Sequence, residues 1–237
     1  MNIAVEPHRT NALLSSLPSD EYEALRQHLE PVHLPPGRII YTMGEPIQYA
    51  YFPNGGQISL LSITEEGMMI VLAIIGSEGV VGLPVVLRIN TAPYSAMVQI
   101  EVGSTMRVRA DVLRREFDRG GKLQDLLLRY THVLLSQISQ SAVCNRYHTL
   151  EQRLARWLLM ANDIAKTDTI NLTQESIAHM LGTPRTGVTV AAGALQRAGL
   201  IRYSRGKITL LNRKAMESSA CECYNIIRKE FDTFLKS

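Results

Sequence analysis

The sequence predicts an α+β chain built as an N-terminal β jelly roll, a long dimerisation helix and a C-terminal winged helix-turn-helix. Three observations carry this. Between Val32 and Arg109, short β-prone runs alternate with Gly and Pro, the texture of a sandwich or jelly roll. From Lys122 to about Cys144, apolar residues recur at alternating steps of four and three, the period of a coiled-coil helix. From Thr173 to Leu200, two short helical patterns meet at a tight corner and are followed by a hairpin.

Composition bounds the classes that remain. The chain has 237 residues, long enough for two modest domains, with 46% hydrophobic and 20% charged residues, the balance of a soluble globular protein. The formal charge of +3 and pI of about 8.8 are mildly basic and would not alone indicate nucleic acid; the clustering of basic residues late in the chain matters more. The longest apolar stretch, Met68 to Ile75, is too short to span a bilayer. No basic leader with an apolar run opens the chain, so no signal peptide is expected. Three cysteines, an odd number, argue against a disulfide framework. A cytoplasmic location without membrane association is expected.

In chain order, Ser19 and Asp20 precede a helical run, Glu21 to Leu29, with Tyr22, Leu25 and Leu29 on one face. Strands are read at Arg38–Tyr41, Tyr49–Phe52, Gln57–Ser62, Met69–Ile75, Ser95–Ile100 and Thr105–Arg109, each bounded by turn residues. After Gly120-Gly121 the long helix carries Leu123, Leu127, Tyr130, Leu134, Gln137 and Ser141 on one seam. That seam is assigned to a homodimer, its polar end setting the register. Asn145–His148 reads as a hinge. Thr149 and Gln152 form a capping box for a helix whose inner face is Leu150, Leu154, Trp157, Leu158 and Ala161. The domains are therefore set at 1–121, 122–146 and 147–237.

In the helix-turn-helix, Thr173 caps the first helix and Glu175 favours its positive end. Ile177, Ala178 and Leu181 face inward, and Gly182 makes the turn. Thr183 is read as the cap of the second helix, with Pro184 at its first position. Val188, Ala191, Ala192 and Leu195 form the inner stripe, which leaves Arg185, Thr186, Thr189, Val190 and Gly193 outward. Gly187 and Gly193 each cost about 1 kcal/mol inside a helix, so close approach to DNA or to the first helix is expected to offset them. The strands Leu200–Tyr203 and Lys207–Leu211 enclose Ser204-Arg205-Gly206 as a wing, with Arg202, Arg205 and Lys207 available to phosphates. The DNA-contact set is thus Thr173, Gln174, Thr183, Arg185, Thr186, Thr189, Val190, Arg202, Arg205 and Lys207.

These residues resemble the winged helix-turn-helix of the Crp/Fnr family of bacterial transcription regulators: Leu172-Thr173-Gln174-Glu175, Ile177-Ala178, Met180-Leu181-Gly182, Arg185, Val188, Leu195, Gly199-Leu200-Ile201 and Arg205-Gly206-Lys207-Ile208. Gly37–Ile40, Gly44-Glu45-Pro46, Tyr51-Phe52 and Gly56-Gln57-Ile58 resemble the cyclic-nucleotide-binding fold of that family's sensor domain. The resemblance implies a dimer on double-stranded DNA under allosteric control, with RNA polymerase as a candidate partner. It also implies an effector pocket at Gly79, Val80, Gly82, Tyr94 and Ser95. There the sequence departs from the family: Val80 stands at the position of the ribose-binding Glu, and Tyr94 at that of the phosphate-binding Arg. A buried phosphate without a cation is costly, so cyclic AMP is not the expected signal. Arg88 is the nearest substitute cation. No cofactor is expected and the effector is unknown.

An iron–sulfur sensor of the kind found in the family uses four cysteines, and this chain has three, none before Cys144. Cys221-x-Cys223 alone does not close a zinc site, so these are read as plain helical cysteines and no metal is assigned. No nucleophile–base pair, paired carboxylates or phosphate loop suggests an enzyme. The alternative from another class is a ligand- or protein-binding adaptor whose helix-turn-helix serves only packing.

Overall fold

A computed structural model of the chain describes residues 10–101, 104–165 and 167–236. Near its start, helix α1 (Ala12–Ser15) and helix α2 (Ser19–Arg26) precede strand β1 (Glu30–His33). The fully buried Asn11 fastens this end to the β domain. Its amide donates to the carbonyls of Pro53 and Gly79 at 2.8 and 2.9 Å, and its carbonyl accepts from the N–H groups of Leu13 and Leu14. Helix α2 stops at Arg26, three residues before the expected Leu29, and Tyr22 and Leu25 bury its inner face.

The strands that follow are β2 (Ile39–Tyr41), β3 (Tyr49–Pro53), β4 (Gln57–Ile63), β5 (Met69–Ile75), β6 (Ser95–Ile100) and β7 (Ser104–Arg109). They form a three-stranded sheet in the order β1-β7-β3 and a four-stranded sheet in the order β2-β6-β4-β5. The crossed strand order is that of a jelly roll rather than a simple meander. Ala50, Phe52, Ile58, Leu60, Val98 and Val108 fill the core, each at most 1% exposed. Strand β1 was not apparent in the sequence, because Glu30-Pro31-Val32-His33 lacks a β-branched run and contains a proline. It pairs antiparallel with β7, Glu30 opposite Arg107, and the two side chains make an ion pair at 2.9 Å.

Helix α3 (Ala110–Asp118) leads through Gly120 and Gly121, both at positive φ, into helix α4 (Lys122–Tyr147). The carboxylate of Glu21 caps α4, accepting from the N–H groups of Lys122 and Leu123 at 2.9 and 2.7 Å. That cap supplies acceptors to the helix's free amides and a negative charge at its positive end.

The expected seam on α4 requires correction. Leu123, Leu127, Tyr130, Leu134, Gln137 and Ser141 are all buried within a single chain, so they offer no surface to a second one. The periodicity was real, but it marks the face that packs on the protein's own core. The exposed apolar side chains lie on the other side, with Leu128 at 50%, Leu135 at 59% and Val143 at 43%. Helix α4 also runs through the expected hinge to Tyr147, leaving His148 and Thr149 as the break.

Beyond it lie helix α5 (Leu150–Ala165), strand β8 (Thr169–Asn171), helix α6 (Gln174–Leu181), helix α7 (Arg185–Arg197), strands β9 (Ile201–Ser204) and β10 (Lys207–Leu210), and helices α8 (Arg213–Ser219) and α9 (Cys223–Leu235). The Thr149–Gln152 capping box forms: Thr149 N–H donates to the Gln152 side-chain oxygen at 3.0 Å, and Gln152 N–H to the Thr149 hydroxyl at 3.4 Å. Strand β8 and helix α8 were not read from the sequence. The three strands make a sheet in the order β8-β10-β9. The chain divides into two units, one comprising Met1–Leu60 with Ile74–Leu134, the other Leu61–Ala73 with Leu135–Lys236. No described helix is long and apolar enough to cross a membrane.

Gly79 marks the tightest spot in the first unit. A Cβ there would lie 2.0 Å from the hydroxyl oxygen of Tyr130, a ring that is fully buried and cannot swing away. Gly79→Ala should therefore lower stability by about 1–3 kcal/mol, read as a fall in the urea midpoint. Adding Tyr130→Phe should recover part of the loss; no recovery would place the strain elsewhere.

Candidate nucleic-acid interface and sensor pocket

Helices α6 and α7 are set against each other by their ends. The Thr173 hydroxyl caps α6, accepting from Ser176 N–H at 3.1 Å. Gly182 closes α6 in the left-handed region at φ 55°, where glycine alone pays no Cβ penalty. Arg153 on α5 donates to the Leu181 carbonyl at the same corner. The expected cap by Thr183 does not form. Pro184 occupies the cap position in an extended conformation, α7 starts at Arg185 with no side-chain cap, and the Pro184 carbonyl accepts from Gly187 and Val188.

Val188, Ala191, Ala192 and Leu195 are buried, while Arg185, Thr186, Thr189 and Val190 are exposed, as the spacing predicts. The Thr189 hydroxyl donates to the Gln174 side-chain oxygen at 2.9 Å, tying the outer faces of the two helices together. Gly187 has a packing reason the sequence did not reveal. A Cβ there would meet Leu150 of α5 at 3.0 Å and the Thr183 hydroxyl at 3.2 Å, so the close approach is to α5 and not to α6. A Cβ on Gly193 would meet only the tip of Arg197, at 3.4 Å.

The wing pairs Lys207 with Ser204, leaving Arg205 and Gly206 as a two-residue turn with φ of 49° and 76°. Two consecutive positive φ values define the turn that matches strand twist in a tight hairpin. The turn holds Arg205 at the tip, with Arg202 and Lys207 exposed beside it. Tyr203, absent from the predicted set, anchors the wing: its hydroxyl donates to the Leu172 carbonyl at 3.1 Å, and its N–H to the Gln196 side chain at 2.7 Å. The alternation Ile201, Tyr203 along one strand was the available signal. Thr173, Gln174, Arg185, Tyr203 and Arg205 line one groove, together with Glu175. Among the described residues, Arg185, Arg202, Arg205 and Lys207 are in no ion pair, unlike Arg213, which Asp163 and Glu217 hold. These cations are thus available to an external polyanion.

In the β domain, the segment carrying Gly79, Val80 and Gly82 is locked to β3, Tyr51 and Val81 exchanging both backbone hydrogen bonds at 2.8 Å. Gly82 sits at φ 98°, and a Cβ there would lie 3.0 Å from the Tyr49 carbonyl oxygen and the Ala50 Cα. Val80 is fully buried. The Ser95 hydroxyl accepts from Met43 N–H at 3.0 Å. Tyr94 packs with Tyr41, ring centroids 6.5 Å apart. Arg88 points away to the surface, 3.7 Å from Asp118, with 72% of its side chain exposed, and does not replace the missing pocket cation. Burial raises the Tyr41 and Tyr130 hydroxyls well above the ordinary tyrosine range, and Tyr94 to about 12. Burial among apolar and aromatic side chains is the first cause of each of these shifts.

Residues 31–119 match the cyclic nucleotide-binding domain, and residues 152–219 match the Crp-like helix-turn-helix domain. The chain belongs to the Crp/Fnr family of transcription regulators. As a Crp/Fnr-type regulator it binds DNA. Among its relatives is the "CRP-like cAMP-activated global transcriptional regulator" of Mycobacterium tuberculosis, 26% identical over 196 residues, covering 80% of this chain and 87% of that one. The fold is shared with FixK2 of Bradyrhizobium japonicum (TM-score 0.70, 18% identity, 81% and 98% of the two chains covered). It is also shared with CLP of Xanthomonas campestris, a c-di-GMP responsive global regulator (TM-score 0.65, 15% identity, 82% and 100% covered).

The buried tyrosines give this Crp/Fnr regulator an alkaline signature. In the unfolded chain a tyrosine ionises near pH 10, whereas folded Tyr94 does so at about 12. Between these values the unfolded state binds fewer protons, so stability falls as pH rises. Urea midpoints should decline above about pH 10, and Tyr94→Phe should flatten the decline. An equal slope in the variant would discharge Tyr94 of the effect.

Proposed function

We propose that this regulator binds its operator as a homodimer, with α7 reading the major groove, the wing on the flanking phosphates, and a signal other than cyclic AMP controlling affinity. The observation that carries the reading is the split of α7 into a buried Val188–Leu195 stripe and an exposed Arg185–Val190 stripe beside unpaired wing cations. Thr173 and Gln174 at the start of α6, and Thr183 at the α6–α7 corner, would contact backbone. Thr186 and Val190 present methyl groups, which suit thymine, and Arg185 suits guanine or a phosphate. The protein would act in the cytoplasm on double-stranded DNA and have no catalytic role.

The relative from Mycobacterium tuberculosis is named as cAMP-activated. The buried Val80, the Tyr94–Tyr41 packing and the outward Arg88 favour a different signal for this chain. The dimer would use the exposed side of α4, where Leu128, Thr131, Leu135, Ile138 and Ala142 recur at three and four. This stripe replaces the buried seam and keeps the heptad logic.

Arg185→Ala should weaken a selected operator by about 1–3 kcal/mol and relax one base position. Arg205→Ala should weaken all sequences alike and reduce the salt slope by about one. Fluorescence anisotropy against selected and scrambled duplexes over a salt series measures both, and added cyclic AMP should leave the curves in place. Unchanged affinity in both variants would sink the docking model.

Leu128→Lys with Leu135→Lys should yield folded monomers, since both side chains are exposed within the chain. Light scattering at micromolar concentration reads this directly. An unchanged dimer mass would move the interface off this stripe.

A further inference from the structure

The second unit gathers all of the chain's cysteines around one histidine. Cys144 and His148 stand four apart at the end of α4, hence on one face. Cys221 and Cys223 lead into α9. One ligand atom from each of the four residues lies within 4.8 Å of every other. The Cys144 and Cys221 sulfurs are 3.5 Å apart, and the Cys223 sulfur is 3.4 Å from His148 Nδ1.

We propose that Cys144, His148, Cys221 and Cys223 bind one Zn2+ ion, clasping the end of α4 to the start of α9. This corrects the reading of Cys221-x-Cys223 as plain helical cysteines. The pair alone could not close a site, and its partners lie far away in sequence, where spacing gives no hint of them.

The geometry suits a tetrahedral ion. With zinc–sulfur bonds of about 2.3 Å and zinc–nitrogen bonds of about 2.0 Å, sulfurs should stand about 3.8 Å apart and sulfur and nitrogen about 3.5 Å. The observed pairs at 3.5 and 3.4 Å are close to these edges. Three thiolates and an imidazole are a soft donor set, which selects zinc over magnesium or calcium. An iron–sulfur cluster would force its ligands farther apart, since irons and sulfides must fit between them. A disulfide needs sulfurs at about 2.05 Å, and all three cysteines are free.

The surroundings of the four residues point the same way. His148 Nε2 lies 3.2 Å from the Glu222 carboxylate. A carboxylate only accepts, so Nε2 is the donor in this contact, and in the neutral ring Nδ1 then offers its lone pair to the side of the thiols. This carboxylate–histidine arrangement is the usual orienting partner of a metal-bound imidazole. The Gln140 amide donates to the Cys223 sulfur at 3.1 Å. Zinc with three thiolates carries one net negative charge, and the buried guanidinium of Arg156, which reaches Ser141 one turn before Cys144, offsets it. Binding would release three thiol protons to solvent.

The test uses the full chain purified under reducing conditions without chelators. Elemental analysis should find one zinc per chain. Exchange with Co2+ should produce thiolate-to-cobalt charge-transfer bands and the visible bands of a tetrahedral ion. Glu222→Gln, at an exposed side chain that should leave the fold intact, should weaken Zn2+ binding about 10–100-fold. Cys223→Ser should abolish the cobalt spectrum. The assignment is overturned if the protein retains no zinc and gives no cobalt bands while all three thiols titrate freely. It is overturned equally by a Cys144–Cys221 disulfide in the isolated protein, or by iron with acid-labile sulfide. Unchanged affinity in Glu222→Gln would overturn Nδ1 as the ligand atom.

Discussion

Close packing of α7 on α5 is the constraint on which the DNA-binding unit depends. It requires small residues on the inner side of α7: a Cβ on Gly187 would crowd the Leu150 side chain at 3.0 Å, and Ala191 and Ala192 are buried. With that approach made, Arg153 can reach the Leu181 carbonyl, Gln174 can meet Thr189, and Tyr203 can hold the wing to Leu172 and Gln196. Each of these contacts is polar and directional, so each presupposes the backbone spacing that the small residues set. The groove holding Arg185 and Arg205 follows from that spacing.

Helix α4 shows a different economy. One side of it is spoken for by its own chain, from Leu123 through Ser141, and Glu21 fixes its N-terminus. Its remaining apolar side chains are few and separated by polar ones, such as His132 and Ser139. As the proposed dimer contact, a stripe of that kind would associate modestly and respond to small changes of register.

Residues whose role depends on local pattern were legible in the sequence. The Thr149–Gln152 box, the Gly182 turn, the α7 inner stripe and the Arg205-Gly206 hairpin are each determined within about one turn of chain, so composition and period suffice. What the sequence hid depends on distant partners. Strand β1 exists because β7 accepts it, and its Glu30–Pro31 start carries no strand signal of its own. The side of α4 that faces home could not be read from its period, because a core-facing stripe and a coiled-coil seam repeat alike. The Cys144–His148 and Cys221–Cys223 pairs each look trivial alone, and only the fold makes them one cluster. A Thr-Pro pair fits a helix start in two registers, and here the extended Pro184, not Thr183, takes the cap position.

Arg205 sits at φ 49° in the turn of the wing, a conformation that costs an L-residue with a Cβ about 1–2 kcal/mol and that glycine or asparagine adopts more readily. The turn would fold more easily with either of those residues, yet the charge would then be gone from the hairpin's apex. If Arg205 contacts phosphates as proposed, robustness and grip on the polyanion oppose each other at a single side chain. Under that proposal, a search for hardier versions of this protein by stability alone would drift toward neutral, better-folded wings, and would discard grip on DNA before any measure of folding registered a loss.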